Sequence, residues 1–444
     1  MKKVLLWGWT EPDAVMAVEK LKMAKQIEIA DWIGDIKELK KSYINFLYNP
    51  PNLGSFALPR HDQGLTDEEQ IKFLHMFYRE TRSKGVNFYE QINIAKNYFR
   101  YFLWLLSEKN ISHVLFSIPP LIGYDYLCYL AAKRLNIEVT MCYQSLFPDR
   151  FFCFKELETF GNFSNISDDD SATEIPNINW GYKKDLFYMK NGVRENPPNP
   201  LPMLIRQSLR YGIRKSSKPL RYSGVIENYI QAKDYNEFYQ KHAKKSSELD
   251  IKQNYVYFPL HLQPELTTTG FGGAYSDQLD AIDRLSDMIP ADWKVFVKEN
   301  PKQSYKQRGA EFYRRLSTLG NVVYIGKEVD TYWLMENCQF VATITGTAGW
   351  ESITGGKPCL YFGLPWYASI PGAIAYTPTI QVNDILNTTI NQDEQSRAFS
   401  AIYRKTRLGL VDRVYRSICH DYSPEKNVLR IHNFLYEEIL KKPT

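Results

Sequence analysis

At 444 residues, with 44% hydrophobic and 24% charged residues, the chain is too long for one typical core and carries enough apolar material for two. A mean hydropathy of −0.40, without any apolar run near the roughly 18 to 20 residues that span a bilayer, argues against an integral membrane protein. The net charge of +5 is too small to imply nucleic acid and suits an anionic small molecule or a loose hold on anionic lipid.

The N-terminal MKKVLLWGW turns polar at Thr10-Glu11-Pro12-Asp13, too early for a signal-peptide core, and reads as the first strand of a cytoplasmic protein. Lys3 to Gly8 is that strand, followed by a turn, a helix through Lys25 and a second strand from Ile27 to Ile33. The loop Gly8-Trp9-Thr10-Glu11 is either a wall of the expected cleft between domains or a plain connection. Asn49 to Gly54 marks a loop, and helical spacing runs from Asp67 to Phe77 and from Phe88 to Glu108. His113 to Ile118 is a strand stopped by Pro119-Pro120, Tyr124 to Leu135 a helix, and Glu138 to Cys142 another strand. This βαβ alternation predicts a parallel sheet.

From Glu156 to Lys245 the pattern turns irregular, with an acidic loop at Ser167 to Ser171 and a stiff linker at Asn196 to Pro200. Arg206, Arg210, Arg214, Lys215, Lys218 and Arg221 alternate with Leu209, Tyr211 and Ile213. That stretch is either a solvated helix face or a basic amphipathic segment for a membrane surface or an acidic glycan. Asn228 to Lys245 is a helix leading to the second half.

There, Tyr255 to Glu265 and Trp293 to Pro301 are two β-rich runs, each ending in polar groups. Phe340-Val341-Ala342 begins a third strand, broken at Thr345-Gly346-Thr347-Ala348-Gly349 and followed by a short helix to Thr354. In an α/β sheet such a turn lies at the carboxyl end of a strand, where backbone N–H groups and a helix N-terminus favour an anion. It can equally be an ordinary connection whose glycines serve packing. Asn383 to Arg404 and Glu425 to Lys441 read as terminal helices.

Six scattered cysteines without a CxxC pair look like reduced core residues, and seven histidines form no metal-ligand spacing. With no Asp-x-Asp triad at a strand end, no metal is expected and no cofactor.

The ordered set HLQPE with Thr267-Thr268, YSDQL, VKENP, TGTAGWES, GKP and FGLPWY, across about Asn254 to Gly372, resembles the capsule polysaccharide biosynthesis glycosyltransferases, which are related to the retaining Kdo transferases. The resemblance implies an α/β, GT-B-like fold of two Rossmann-like domains facing across a cleft, with C-terminal helices crossing back. Expected boundaries are 1–248 for the acceptor-side domain, with an irregular basic insertion around 156–245, 249–400 for the nucleotide-sugar domain, and 401–444 for the returning helices. It further implies transfer of a sugar, Kdo or a related ulosonic acid, from a CMP-linked donor to a glycan or glycolipid acceptor, at or near the cytoplasmic face of the inner membrane.

Within that frame the candidate catalytic groups are Glu265, His261 and Asp277. Glu265 is placed as nucleophile or charge stabiliser, though it can also be a turn cap. Where the Kdo transferases carry an aspartate this chain has Thr267. Gln144 replaces a carboxylate after the fourth strand, with Asp149 a little beyond. Donor-binding candidates are Gln263, Lys298, Asn300, Thr345, Gly346, Thr347, Ala348, Gly349, Glu351 and Ser352. Asn300 stands where the family has histidine, so it can donate a hydrogen bond but cannot carry a proton. A GT-B enzyme using a UDP- or GDP-hexose, an epimerase of that architecture, and a non-catalytic glycan-binding subunit are the alternatives.

Overall fold

The computed structural model describes residues 1–34, 64–81, 87–166, 168–169, 174–182, 201–202, 205, 222–303, 308–419 and 421–440. The Asn49–Gly54 loop, the Asn196–Pro200 linker and the basic stretch Arg206–Arg221 lie outside the described residues, as does most of the acidic loop at 167–171.

The chain divides into two compact units, 1–79 with 87–176 and 399–444, and a second formed chiefly by 177–398. The first holds β1 (Lys2–Trp7), β2 (Ile27–Ile33), β3 (His113–Phe116), β4 (Glu138–Gln144) and β5 (Arg150–Phe154). The second holds β6 (Tyr255–Pro259), β7 (Lys294–Lys298), β8 (Val322–Ile325), β9 (Val341–Thr343), β10 (Cys359–Tyr361) and β11 (Ala373–Ala375). The short β12 (Arg407–Leu408) returns to the first.

In the first unit the order is β12-β5-β4-β3-β1-β2, with β1 to β4 parallel and β5 and β12 antiparallel. Val4, Leu6 and Leu115 face one side, against helices Pro12–Leu21 and Pro424–Leu440. Trp7 faces the other and packs edge-on to Phe102 of helix Phe88–Glu108 at 5.6 Å. Burial on both faces explains why β1 reads as an unbroken apolar run. The last helix buries Val428, Ile431, Phe434, Leu435 and Ile439, one stripe at helical spacing. It thereby carries the C-terminal segment back onto the first unit.

The second unit is all parallel, in the order β11-β10-β9-β6-β7-β8. Counted from β6 this is the 3-2-1-4-5-6 order of a Rossmann sheet. Val256, Phe258, Val295 and Val297 pack on one face under helix Gln278–Met288, and Tyr255, Tyr257 and Phe296 on the other under helix Thr331–Asn337. Helix Tyr222–His242 joins this unit, with Phe238 4.8 Å from Tyr313. The unit therefore begins at 177, well before the expected 249.

Two expectations about elements are corrected. The single helix expected over 383–404 is two, Val382–Leu386 and Gln392–Arg404. The intervening Asn-Thr-Thr-Ile-Asn stretch is rich in β-branched and Asx residues, and Asn391 Oδ1 accepts the N–H groups of Asp393 and Glu394 to start the second helix afresh. Gln144, expected beyond the fourth strand, is the last residue of β4, and the chain then turns back as β5 through a hairpin in which Gln144 Nε2 donates to Arg150 O (2.9 Å) and Gln144 Oε1 accepts from Val411 N (2.8 Å). Both ends of that amide are thus used to hold backbone. Asp149, at positive φ in the same hairpin, pairs with Arg430 at 3.2 Å.

Candidate nucleotide-sugar site in the second unit

A 3-2-1-4-5-6 sheet reverses its direction of growth between its first and fourth strands, and ligands bind beyond the carboxyl ends there, because the two flanking connections leave on opposite faces. In this unit that place lies between β6 and β9. The strands pair at Tyr257↔Val341. Beyond that level their side chains make the link, with His261 Nε2 2.8 Å from Thr343 Oγ1. Gly346 then caps helix Thr347–Thr354, and its N–H donates to the same Thr343 hydroxyl at 3.2 Å.

His261 is fixed by its own backbone. Its N–H donates to Gln278 Oε1 (2.7 Å), and its carbonyl accepts from Gln278 Nε2 (3.2 Å) and Arg308 Nη2 (2.6 Å). Burial first, and the Arg308 charge second, push the imidazole down to about 3, so it is neutral at physiological pH. The neutral ring is a hydrogen-bonding and packing group, and can accept a proton only if a ligand alters its surroundings.

Gln263 is also held by protein groups: its N–H donates to Gln303 Oε1 (3.1 Å), its Nε2 to Ser276 O (3.1 Å), and its Oε1 accepts from Gln278 Nε2 (3.0 Å). Glu265, half-buried, precedes one wide turn, Leu266–Gly270, whose Thr268 hydroxyl donates to Glu265 O (3.1 Å). Thr345 Oγ1 donates to Thr267 O at 2.7 Å, drawing that turn to the end of β9. Glu265 and the Gly346 turn are therefore brought to the same edge of the sheet. Asp277 takes a different part: its carboxylate accepts from Leu279 N (3.1 Å) as the cap of helix Gln278–Met288 and lies 3.7 Å from Arg315.

Lys298 ends β7 on the face shared by Tyr257 and Phe296. It is 5% exposed and its Nζ donates to Thr331 Oγ1 (3.1 Å). Burial lowers its ammonium to about 8, against the opposing pull of Asp330, Glu328 and Glu299. Asn300 Oδ1 accepts from Lys302 N (2.9 Å), an Asx turn that leads the chain away from β7.

The small residues of the turn divide between two uses. A Cβ at Gly346 would stand 2.9 Å from both His261 Nε2 and Thr343 Oγ1, so glycine there keeps the two strand ends together. A Cβ at Gly349 would meet Tyr367 Oη at 2.0 Å, and that hydroxyl donates to Gly346 O at 2.6 Å. Gly349 thus serves packing. Thr347 and Ala348 form the first turn of the helix, half-buried, where backbone N–H groups lack helical partners. Glu351 is 2% exposed, on the inward side of the helix. Ser352 Oγ donates to the carbonyls of Lys357 (3.1 Å) and Pro358 (3.3 Å), at the far end of the helix from Gly346. This corrects its placement at an anion: the hydroxyl closes the turn into β10.

Residues that sequence reasoning left out support the site from below. Arg308 and Glu299 form an ion pair (3.0 Å) with both side chains fully buried, and Glu299 also accepts from Tyr313 (3.2 Å) and Tyr324 (3.0 Å). Gln278 and Gln303 complete the set. Gln278 lay within a recognised motif without an assigned role, whereas nothing in the local pattern marks Arg308. Among the described residues, no group of three or more His, Cys, Asp or Glu could hold a metal ion. No helix among them is long and apolar enough to cross a membrane.

Residues 209–383 match the family model described as capsule polysaccharide biosynthesis protein. The match covers both strand ends and the Gly346 turn, so the candidate site lies inside the matched residues. Solved structures also align with the chain. The β-Kdo 2,7 transferase of Thermosulfurimonas dismutans KpsC is 12% identical, covering 74% of this chain and 88% of its own at a TM-score of 0.33. The β-Kdo 2,4 transferase of the same protein is 13% identical over 67% and 82%, also at 0.33. The UDP-GlcNAc 2-epimerase of Neisseria meningitidis bound to UDP-GlcNAc is 12% identical over 100% of each chain, at 0.25. Similarities of this size carry no argument about chemistry. No curated protein matches the chain.

Proposed function

We propose that the chain is a glycosyltransferase of surface polysaccharide biosynthesis, moving a sugar from a nucleotide-linked donor to a glycan or glycolipid acceptor. The observation that supports this reading most is the convergence of β6 and β9 at the direction reversal of a 3-2-1-4-5-6 sheet, within the capsule-family segment. The donor phosphate would lie at the first turn of helix Thr347–Thr354, next to Gly346, with Lys298 supplying positive charge on the same sheet face. Glu265 is the carboxylate of this edge, and we assign it to the oxocarbenium-like centre, as nucleophile or as charge stabiliser.

The donor is read as CMP-linked Kdo or a related ulosonic acid, and the reaction as metal-independent. A thermal-shift panel of CMP, UDP and GDP with their sugars tests the donor, because a ligand that binds the folded state raises apparent stability. CMP is expected to protect. Protection by UDP or GDP without CMP would replace this donor. Nucleotide binding without transfer to any acceptor would instead favour a glycan-binding subunit. Membrane contact through Arg206–Arg221 is part of the same proposal, and charge reversal at Arg210, Arg214 and Lys218 is expected to weaken liposome binding in a salt-dependent way.

A further inference from the structure

The first unit contains a cavity of about 460 Å³ between the start of helix Pro12–Leu21 and the segment 410–427 that brings the chain back. Its wall includes the end of the Gly8-Trp9-Thr10-Glu11 loop, whose shape is fixed from behind. Gly8 and Trp9 both have positive φ, and Trp9 is buried with its Nε1 donating to Leu115 O at 3.0 Å. The opposite wall is positively charged. Arg413 lies 3.8 Å from Glu11 but is mostly exposed, and Arg416 stacks 4.3 Å over the Tyr422 ring. Two helices, beginning at Pro12 and Pro424, both start at this cavity, one from each side.

The carboxylates are not equivalent. Asp13 is committed, accepting from Tyr422 Oη and from Asn427 Nδ2 (3.0 Å). Glu11 has only a long contact with Arg413, and burial raises its carboxyl above the usual range despite that charge. One guanidinium over a ring, a second with a loose partner, and one carboxyl acceptor together suit a ligand that has both an anionic group and hydroxyls. The volume falls in the range of about 300 to 1,000 Å³ usual for small-molecule sites.

We propose that this cavity binds a carboxylated sugar unit of the acceptor glycan, its carboxylate on Arg416 and Arg413 and a ring hydroxyl donating to Glu11. This rests on the glycosyltransferase reading for the word acceptor, but the binding chemistry stands independently of the nucleotide site in the second unit.

The test is saturation-transfer NMR on the full chain with D-glucuronate, D-glucose and inorganic phosphate. Glucuronate is expected to bind in the millimolar range and glucose at least tenfold more weakly. Arg416→Gln should weaken glucuronate at least tenfold, as expected for loss of a charge-assisted hydrogen bond. Glu11→Gln, which leaves both guanidiniums in place, should weaken it less. Circular dichroism spectra and unfolding midpoints that match the wild type show that both variants are folded, and the CMP-induced thermal shift should be unchanged in both. Equal binding of glucose and glucuronate, absence of glucuronate binding, or unchanged binding in a folded Arg416→Gln variant overturns the proposal. Displacement of glucuronate by phosphate at lower concentration than by glucuronate itself also overturns it, since the cavity would then be a simple anion site. A failure of CMP to protect the wild type, with glucuronate binding intact, would count against the donor assignment and leave this cavity standing.

Discussion

His261 Nε2 lies 2.8 Å from Thr343 Oγ1, and through this contact the ends of β6 and β9 are held together at the reversal point of the second sheet. Gly346 sits against both atoms with ordinary extended dihedrals (φ −68°, ψ 154°), so the demand for glycine is one of space. Gly346→Ala should therefore cost about 1 to 3 kcal/mol, the range for forcing one methyl into a packed site. Because the methyl displaces the groups that shape the turn, nucleotide protection should be lost as well. Urea unfolding with and without CMP measures both. Full stability with normal protection would mean that the strand ends are not part of the site.

Lys298 gives a pH test. Burial holds its ammonium down to about 8, so the cation is present at pH 7 and is being lost by pH 9. If it holds the donor phosphate, affinity should fall as pH rises through 8, approaching about tenfold per unit beyond it. Lys298→Arg keeps a charge that does not titrate and should flatten the profile. Lys298→Ala should weaken donor binding by about 1 to 3 kcal/mol at pH 7. A wild-type affinity that is level from pH 7 to 9 rejects the contact.

Two buried histidines set an acid limit on stability. His113, fully buried with its Nε2 2.8 Å from Thr140 Oγ1, is pushed down to about 4, and His261 to about 3, in both cases mainly by burial. In the unfolded chain each takes up a proton near 6.5, whereas the folded chain resists it. The unfolded state therefore binds more protons between about pH 6.5 and 4, and stability falls as pH falls through that window, by up to about 1.4 kcal/mol per unit for each histidine. Denaturant midpoints at pH 7 and 5 should show the drop, and His113→Gln should reduce its slope. Equal slopes in wild type and variant would assign the acid sensitivity elsewhere.

How much of this was legible in the sequence depended on how local the cause was. β2, the helix Phe88–Glu108 and the strand–turn–helix at Val341–Thr354 follow from spacing and punctuation, which act within a few residues. The antiparallel β5 was not readable, because its pairing depends on Gln144 gripping both the hairpin and Val411, some 267 positions away. The start of the second unit was hidden in the same way, since Phe238 packs into it against Tyr313 and Tyr324, some 75 and 86 positions further on. Among the candidate site residues, the ends of β6 and β9 and the glycine turn were legible as elements, but the Ser352 hydroxyl was placed at an anion. That hydroxyl serves the end of the helix, a choice set by the Lys357-Pro358 turn and invisible in a motif. Arg308 was missed because a buried cation is recognised by its partner, and no local pattern ties this loop residue to Glu299 just beyond β7.

Glu265 carries the sharpest prediction. It is the half-buried carboxylate before the Leu266–Gly270 turn, and Thr345 fastens that turn to the end of β9. Asp277 caps helix Gln278–Met288 and Asp149 lies in the first unit, whereas Glu265 precedes the turn that Thr345 fastens to the end of β9. Glu265→Gln preserves size and removes charge. The Thr268 hydroxyl bonds to both the N–H and the carbonyl of Glu265, contacts that the change leaves in place, so the fold should survive it. A group that acts in the transition state should lose at least about 100-fold in transfer while CMP protection stays near wild type. Mass spectrometry of donor-treated wild-type protein then separates the two roles, because only a nucleophile can retain a sugar adduct on this side chain. Near-normal turnover in the variant would remove Glu265 from the chemistry.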